Sequence, residues 1–265
     1  MLIERFTCTG HNIYLEEFED IHEFVHMSDE RPENSWSHKT DVSDNDRNWL
    51  MHGWNSMKDR IESQLIGLED TITTVERKIK ERVYCINGYY PSVSRAVRGN
   101  PRCMAKYKTT TRASKIVEII WDPGAAWHVK SETVAEQGVK LLAKIKMLEL
   151  MGYRVRLMVQ GFKGEQYTDE VYMCRMTIKE ENQPLDLSRI AYPLANVEML
   201  RTWVFHWYEH LPGARHIDGY GKSLYLWDDD KRQQILDAVN VNANQYYVNL
   251  GTNIDEMFKP LTNIE

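Results

Sequence analysis

Between Ser92 and Lys115 the sequence concentrates cations whose chemistry suits a phosphate backbone. The segment carries seven lysines and arginines and no acidic residue. Tyr89, Tyr90 and Tyr107 are interleaved with them, and the ring of a tyrosine can stack on an unpaired base. Cations beside aromatic faces are what binding of single-stranded nucleic acid requires. The pattern therefore predicts such an interface, formed by Tyr89, Tyr90, Arg95, Arg98, Arg102, Lys106, Tyr107, Lys108, Arg112 and Lys115.

The charge distribution supports this interpretation and also supplies a competing one. The chain of 265 residues has a formal net charge of −6. Residues 1–80 carry a net charge of −8, residues 81–116 carry +7, and residues 117–265 carry −5. A local basic segment in an acidic protein is a candidate contact for nucleic acid. The same cations could instead form ion pairs with the acidic N-terminal third, and the sequence leaves both interpretations open.

A second candidate is the loop that begins at Asp122, because ligands in open α/β sheets gather at the carboxyl ends of parallel strands. A von Willebrand A domain carries an Asp-x-Ser-x-Ser metal motif at this place. Here Gly124 and Ala126 stand where that motif has its hydroxyl ligands. We therefore expect no metal at this loop, and we expect Asp122 to accept hydrogen bonds from the amides of its own turn.

The third candidate is the pair His206 and His210, which with Glu209 matches the H-x-x-E-H pattern of inverted zinc peptidases. A spacing of four places both imidazoles on one side of a helix, as two zinc ligands require. The sequence offers no recognisable third ligand. The alternative is a pair of partly exposed histidines that flank the apolar face of the helix.

Motifs for nucleotide binding and for nucleophilic catalysis are absent from the sequence. It contains no P-loop, no G-x-G-x-x-G and no G-x-S-x-G. Its four cysteines stand apart without a C-x-x-C pair, which favours reduced thiols and no structural zinc; they are Cys8, Cys85, Cys103 and Cys174. We therefore expect neither a cofactor nor a metal.

The second half of the chain has the pattern of an α/β fold. Ile116–Trp121 reads as a buried strand, a helix follows from about Ser131 to Gly152, and residues 153–159 form the next strand. A crossover of this length predicts that the two strands are parallel. Residues 170–179 alternate like a third strand, and a helical segment broken near Pro193 follows. From about residue 84 onward we expect a three-layer, Rossmann-like or von Willebrand A-like α/β domain.

The first third of the chain has the pattern of helices. Apolar residues at spacings of three and four, from Leu15 to Val25, predict a helix, and a similar stripe predicts a longer one from about Ser56 to Arg82. The polar residues between Ser28 and Asp46 indicate a linker. The expected organisation is a helical N-terminal region with an acidic linker over 1–83, and an α/β domain over 84–265 with a basic entry segment at 89–115.

Short motifs in the middle of the chain resemble a largely phage-encoded family with no assigned activity. The most specific of them is the Gly-Tyr-x-Pro segment that begins at Gly88. The matching residues are His52-Gly53-Trp54, Gly88-Tyr89-Tyr90-Pro91-Ser92-Val93, Arg98-Gly99-Asn100-Pro101, Cys103-Met104, Val139 to Leu142, Leu148-Glu149, Gly152-Tyr153-Arg154-Val155, Tyr192-Pro193 and Met199-Leu200-Arg201. The resemblance covers about residues 50–210.

Among phages of the Enquatrovirus type, the sequence is similar to small accessory proteins that bind single-stranded DNA and bring the phage's own RNA polymerase to middle promoters. The resemblance implies no catalytic residue, and a location in the cytoplasm of the infected bacterium. The expectation is thus a non-enzymatic phage factor with single-stranded nucleic acid and a phage RNA polymerase, or another phage or host protein, as partners. The alternatives are an interaction factor that binds no nucleic acid, such as a host-enzyme inhibitor, and a zinc-dependent hydrolase. No run of apolar residues is long enough for a membrane span.

Overall fold

A mixed six-stranded sheet forms the centre of the molecule. The structure is a computed structural model that describes residues 2–29, 42–66, 80–109, 116–126, 128–164, 169–211, 229–239 and 244–262. The sheet has the strand order β1-β2-β8-β7-β6-β9. Its strands are β1 (Leu2–Cys8), β2 (His11–Phe18), β6 (Ile116–Trp121), β7 (Arg154–Gly164), β8 (Glu170–Lys179) and β9 (Gln245–Val248).

The predicted strand–helix–strand unit is confirmed. β6 and β7 are parallel, with Ile116 opposite Arg154 and Trp121 opposite Val159, and the helix α5 (Ser131–Leu150) connects them. β9 pairs in parallel with the other side of β6, and β8 pairs antiparallel with β7. The α/β fold class expected from the sequence is therefore the observed one.

Helices cover both faces of this sheet, so that the domain has three layers, with the sheet between two layers of helices. The remaining described helices are α1 (Ile21–Ser28), α2 (Asp44–His52), α3 (Asn55–Ile66), α4 (Val93–Val97), α6 (Leu187–Ala195), the π-helix Met199–Val204 that continues into α7 (Phe205–Glu209), α8 (Asp229–Val239) and α9 (Ile254–Thr262). The larger core includes alternate residues of β6 and β7 and buried residues of α1, α5, α6, α7 and α9. On the opposite face Ile235 and Leu236 of α8 pack against Ile13 and Met173. Among the described helices, none combines the length and the apolar character that a membrane crossing needs.

The expectation of a helical N-terminal region is wrong for residues 2–18. β1 and β2 form a hairpin whose turn, Thr9-Gly10, has positive φ at both residues (52° and 83°), as a two-residue type I′ turn requires. β2 then pairs in parallel with β8. Leu15 and Phe18 lie three apart, but they are on opposite faces of a strand. The helix begins only at Ile21, after Asp20 accepts hydrogen bonds from the amides of residues 22 and 23.

Two further expectations need correction. Of the helix predicted from Ser56 to Arg82, the described part is α3 (Asn55–Ile66), and residues 67–79 lie outside the described residues. Residues 80–82 belong instead to the strand β3 (Lys80–Cys85). The expected domain boundary at 83/84 therefore falls inside a strand. Beyond the predicted elements, the C-terminal part of the chain supplies β9 and α9. A four-residue strand is too short to give a period of its own.

Candidate nucleic-acid interface

Much of the predicted interface belongs to a second, smaller sheet. Its three strands have the order β3-β5-β4, where β4 is Tyr90–Pro91 and β5 is Met104–Thr109. Both outer strands pair antiparallel with β5, so that Tyr84 and Tyr90 flank Ala105 on the same face. Gly88 lets the chain between the outer strands pass close to β5. A Cβ at this position would lie 2.7 Å from the carbonyl carbon of Ala105 and 2.8 Å from its nitrogen.

The short helix α4 (Val93–Val97) follows the second outer strand and carries Arg95. Gly99 lies just after the end of this helix and has a φ of +67°. In this conformation the amide of Gly99 donates to the carbonyl oxygen of Ala96, and the amide of Asn100 donates to the carbonyl oxygen of Arg95. The Asn100 side chain then accepts from the backbone amide of Arg102 at 2.9 Å. These local bonds fix the backbone that carries Arg95, Arg98 and Arg102.

Large apolar side chains are unusually exposed in this small sheet. The exposed fraction is 86% for Tyr89, 53% for Tyr90, 67% for Ile86, 71% for Val93 and 82% for Val97. In the described part of the chain, no residue of 80–109 belongs to either of the two hydrophobic cores. Exposed apolar groups rimmed by polar ones mark a binding surface.

The exposed cations Arg98, Arg102 and Lys106 form no ion pair with the described acidic residues. Carboxylates of the N-terminal third are paired elsewhere: Asp29 and Asp44 with Arg47, Glu62 with Lys58, and Glu17 with Arg175. Within the described ranges, the alternative in which the basic segment neutralises the N-terminal acids therefore finds no contact to support it.

Arg95 has a different partner. Its guanidinium carbon lies 3.8 Å from the centre of the Tyr84 ring, in cation–π contact, while Arg95 itself is only partly buried. Tyr84 is a site residue that the sequence argument missed. The available signal was its position on a short strand immediately before the Gly-Tyr-x-Pro segment, but no spacing rule links position 84 to position 95 across a turn.

Residues 80–109, which form the small sheet, α4 and the loops between them, therefore contain eight of the ten predicted residues. Tyr90 lies on β4, Arg95 on α4 and Lys106 on β5, and the loops carry Tyr89, Arg98 and Arg102. Tyr107 and Lys108 lie on β5, where their backbones pair with those of Arg82 and Glu81. Arg112 and Lys115 lie outside the described residues.

Asp122 behaves as the turn residue expected from the sequence. It is buried, and its Oδ1 accepts from the amide of Gly124 at 2.7 Å. The hydroxyl of Tyr247 donates to its other carboxylate oxygen. Both oxygens of the buried carboxylate thus accept a hydrogen bond. No group of three or more potential metal ligands occurs in the part of the chain that the structure describes.

The two histidines of the H-x-x-E-H pattern differ from each other in solvent exposure. His206 is completely buried, and its Nδ1 lies 3.1 Å from the carbonyl oxygen of Ser28 at the end of α1. His210 is exposed, and its Nδ1 lies 2.7 Å from the carbonyl oxygen of His206. The expectation of a partly exposed pair is wrong for His206, because α1 covers the side of the helix that a single apolar stripe would leave at the surface.

The chain matches a known protein family over nearly its whole length. Residues 4–264 match the model of the family described as "Domain of unknown function (DUF7192)", and the protein belongs to this family. No curated protein and no solved structure matches the chain.

Proposed function

We propose that this member of the DUF7192 family binds single-stranded DNA through the small sheet, and that it acts as a phage accessory protein that brings a phage RNA polymerase, or another replication or transcription partner, to that DNA. One observation carries the proposal. Tyr89 and Tyr90 are exposed on a unit whose cations Arg98, Arg102 and Lys106 pair with no described carboxylate.

The chemistry of this surface matches the two parts of a nucleotide. Exposed tyrosine rings offer stacking surfaces that accept any base, and base–aromatic stacking contributes about 1–3 kcal/mol per base. The cations Arg98, Arg102 and Lys106 can each replace counterions on a phosphate, which makes binding dependent on salt. A duplex keeps its bases stacked inside, so the tyrosines favour the unpaired strand.

The phage context and the polymerase partner come from the resemblance of the sequence motifs. The most specific of these, the Gly-Tyr-x-Pro segment that begins at Gly88, contains the strand β4 of the small sheet, and Arg98–Pro101 follow the helix α4 that comes after it. An acidic protein binds DNA weakly on its own. A second protein on the same promoter would hold it in place, and residues 1–80 and 117–265, with net charges of −8 and −5, would supply an acidic contact for that partner. The proposal assigns no catalytic step to the chain.

The same small sheet also supports a second candidate function, in which the surface binds a protein only. Ile86, Val93 and Val97 are aliphatic and exposed, and such residues suit a protein partner better than a nucleic acid. Protein-only binding predicts no salt-dependent affinity for any nucleic acid. Salt-dependent binding of the purified chain to single-stranded DNA separates the two, because a surface that binds only a protein gives none.

The direct test is fluorescence anisotropy of the full chain with labelled single-stranded and duplex DNA across a salt series from about 50 to about 300 mM. We expect single-stranded DNA to bind more tightly than duplex and the affinity to fall linearly in log–log form with salt. The triple variant Arg95→Ala, Arg98→Ala and Arg102→Ala should lower the slope by about 0.7 for each phosphate that the protein no longer neutralises.

A matched control variant removes the same number of positive charges from another part of the protein. Lys130, Lys140 and Arg154 are exposed cations of the α/β body, and their triple alanine variant removes the same three charges. It should bind like the wild type. Absence of binding at about 50 mM salt, or equally weakened binding in both triple variants, would overturn the proposal.

A further inference from the structure

Arg95 differs from Arg98, Arg102 and Lys106 in lying against an aromatic ring. Its guanidinium lies over Tyr84 at 3.8 Å, whereas Arg98, Arg102 and Lys106 are exposed. Tyr84 is on β3 and Arg95 is on α4, so the contact joins the first strand of the sheet to the helix that follows β4. Tyr84 and Tyr90 are on the same face of the sheet, on either side of Ala105.

We propose that Tyr84 is a positioning residue of the binding site: it holds the guanidinium of Arg95 in one orientation on the face that carries Tyr90, so that a nucleotide meets a fixed cation beside a stacking ring. This inference rests on the proposed function. Tyr84 makes no contact with DNA of its own in this arrangement, because its ring already packs against Arg95.

The physical basis is the entropy of the arginine side chain. A free arginine loses rotamer freedom when it engages a phosphate, and that loss lowers the affinity. A guanidinium that is already stacked loses less, because the planar group is ordered before the ligand arrives. Lysine cannot replace it fully, since its compact and strongly hydrated ammonium does not stack as a plane.

Because Tyr84 acts through Arg95, its removal should change the affinity for DNA without changing the salt dependence, whereas removal of a phosphate-binding cation changes both. Removal of the cation by Arg95→Ala lowers both the affinity and the salt slope, because one phosphate is no longer neutralised. Removal of the ring by Tyr84→Leu leaves the cation in place. It should weaken binding about threefold to tenfold while the salt slope stays unchanged.

The test measures affinity and salt slope for the full-length variants Tyr84→Leu, Tyr84→Phe, Arg95→Lys and Arg95→Ala, with single-stranded oligothymidylate as the probe. Tyr84→Phe keeps the ring and should bind like the wild type. Arg95→Lys lies at a partly exposed helix position and should fold normally. It should weaken binding about as much as Tyr84→Leu, with the wild-type slope. In the Arg95→Ala background Tyr84→Leu should have no further effect, whereas in an Arg98→Ala background it should keep its full effect.

The outcomes separate this inference from the proposed function. If the wild type binds no oligothymidylate, the proposed function fails and the inference fails with it. If the wild type binds but Arg95→Lys equals the wild type, or Tyr84→Leu weakens binding equally in both arginine backgrounds, the positioning role is overturned and the proposed function stands. Arg95→Lys decides the question even if Tyr84→Leu disrupts the small sheet.

Discussion

The backbone of Ala105 approaches Gly88 so closely that position 88 has no room for a Cβ atom, which would lie 2.7 Å from the Ala105 carbonyl carbon. The adjacent amide, that of Tyr89, donates to the Ala105 carbonyl oxygen at 2.9 Å. This approach holds the exposed tyrosines against the central strand of the small sheet.

We predict that Gly88→Ala abolishes binding of single-stranded DNA with little change in the main unfolding transition. A methyl group in contact with backbone atoms forces the strands apart, and no described residue of the small sheet belongs to the hydrophobic cores. Hydrogen exchange should show faster exchange of the amides of residues 84–91 and of residues 103–106, and unchanged exchange in β6 and β7. Gly251→Ala, where a Cβ meets one side-chain atom at 3.4 Å, is the control and should bind normally. Normal binding by Gly88→Ala would contradict the role of the small sheet.

A second prediction concerns stacking by the exposed tyrosines. Tyr89→Ala should weaken binding of single-stranded DNA by about 1–3 kcal/mol, which is about 5- to 150-fold, without a change of the salt slope, because stacking releases no counterions. The free energy of unfolding should change little, since the Tyr89 side chain is 86% exposed.

The matched controls for this prediction lie at and near the same position. Tyr89→Phe keeps the ring and should bind within about twofold of the wild type. Val97→Ala removes a side chain of similar exposure (82%) that cannot stack, and it should have no effect if DNA alone occupies the surface. Much weaker binding by Val97→Ala with normal binding by Tyr89→Ala would instead favour a protein partner.

The fold of the second half could be predicted because its signals are local. Ile116–Trp121 and residues 153–159 are short apolar runs separated by a helical pattern, and this combination is enough to predict a parallel pair. The N-terminal hairpin could not be predicted in the same way. Leu15 and Phe18 fit a helical spacing by coincidence, and what decides the conformation is pairing with β8, which is more than 150 residues away along the chain.

For the candidate site, too, one part could be predicted from the sequence and another part could not. Charge and aromatic content are properties of sequence, and they identified the segment that carries Arg95 and Tyr90. Whether these side chains face solvent or pair with the acidic N-terminal third depends on tertiary placement, which no periodicity encodes. The contact between Tyr84 and Arg95 is of this second kind, and so is the burial of His206 beneath α1.

Cys174 gives a prediction about alkaline pH. Burial raises the pKa of this thiol, which is fully enclosed between β7 and the helical layer. The folded protein therefore keeps the proton at a pH where the unfolded chain releases it, and the stability due to this group is present at neutral pH and declines as the pH rises above the ordinary thiol value. For an unfolded pKa near 9, the contribution of this thiol to the free energy of unfolding should fall by about 1.4 kcal/mol between about pH 8 and about pH 10.

Chemical denaturation of the wild type and of Cys174→Ala across this pH range provides the measurement. The alanine variant starts less stable because it packs less well, but its stability should decline less by about the same 1.4 kcal/mol. Val171→Ala, which truncates a buried side chain of the same strand, β8, and removes no ionisable group, serves as the control and should keep the wild-type pH dependence. Parallel curves for wild type and Cys174→Ala would rule out this account.

The last prediction concerns a buried polar contact between two strands of the main sheet. Arg175 on β8 donates from Nε to Oε1 of Gln160 on β7 at 2.7 Å, and from Nη1 to Glu17 on β2 at 3.2 Å. Gln160 is fully buried, and burial also lowers the pKa of Arg175. Arg175→Ala leaves the Gln160 carbonyl oxygen without its donor and opens a cavity, so we expect it to destabilise the protein by about 3–5 kcal/mol.

Arg175→Met fills most of the volume and should destabilise the protein less than Arg175→Ala. Adding Gln160→Leu to Arg175→Met should recover stability, because no buried polar atom of this pair is then left unpaired. Urea denaturation of the wild type, Arg175→Met, Gln160→Leu and the double variant completes a double-mutant cycle. If Gln160→Leu lowers the free energy of unfolding of the Arg175→Met protein as much as that of the wild type, the two side chains are not coupled. Binding of single-stranded DNA should be unchanged in every variant that folds, since neither residue belongs to the small sheet.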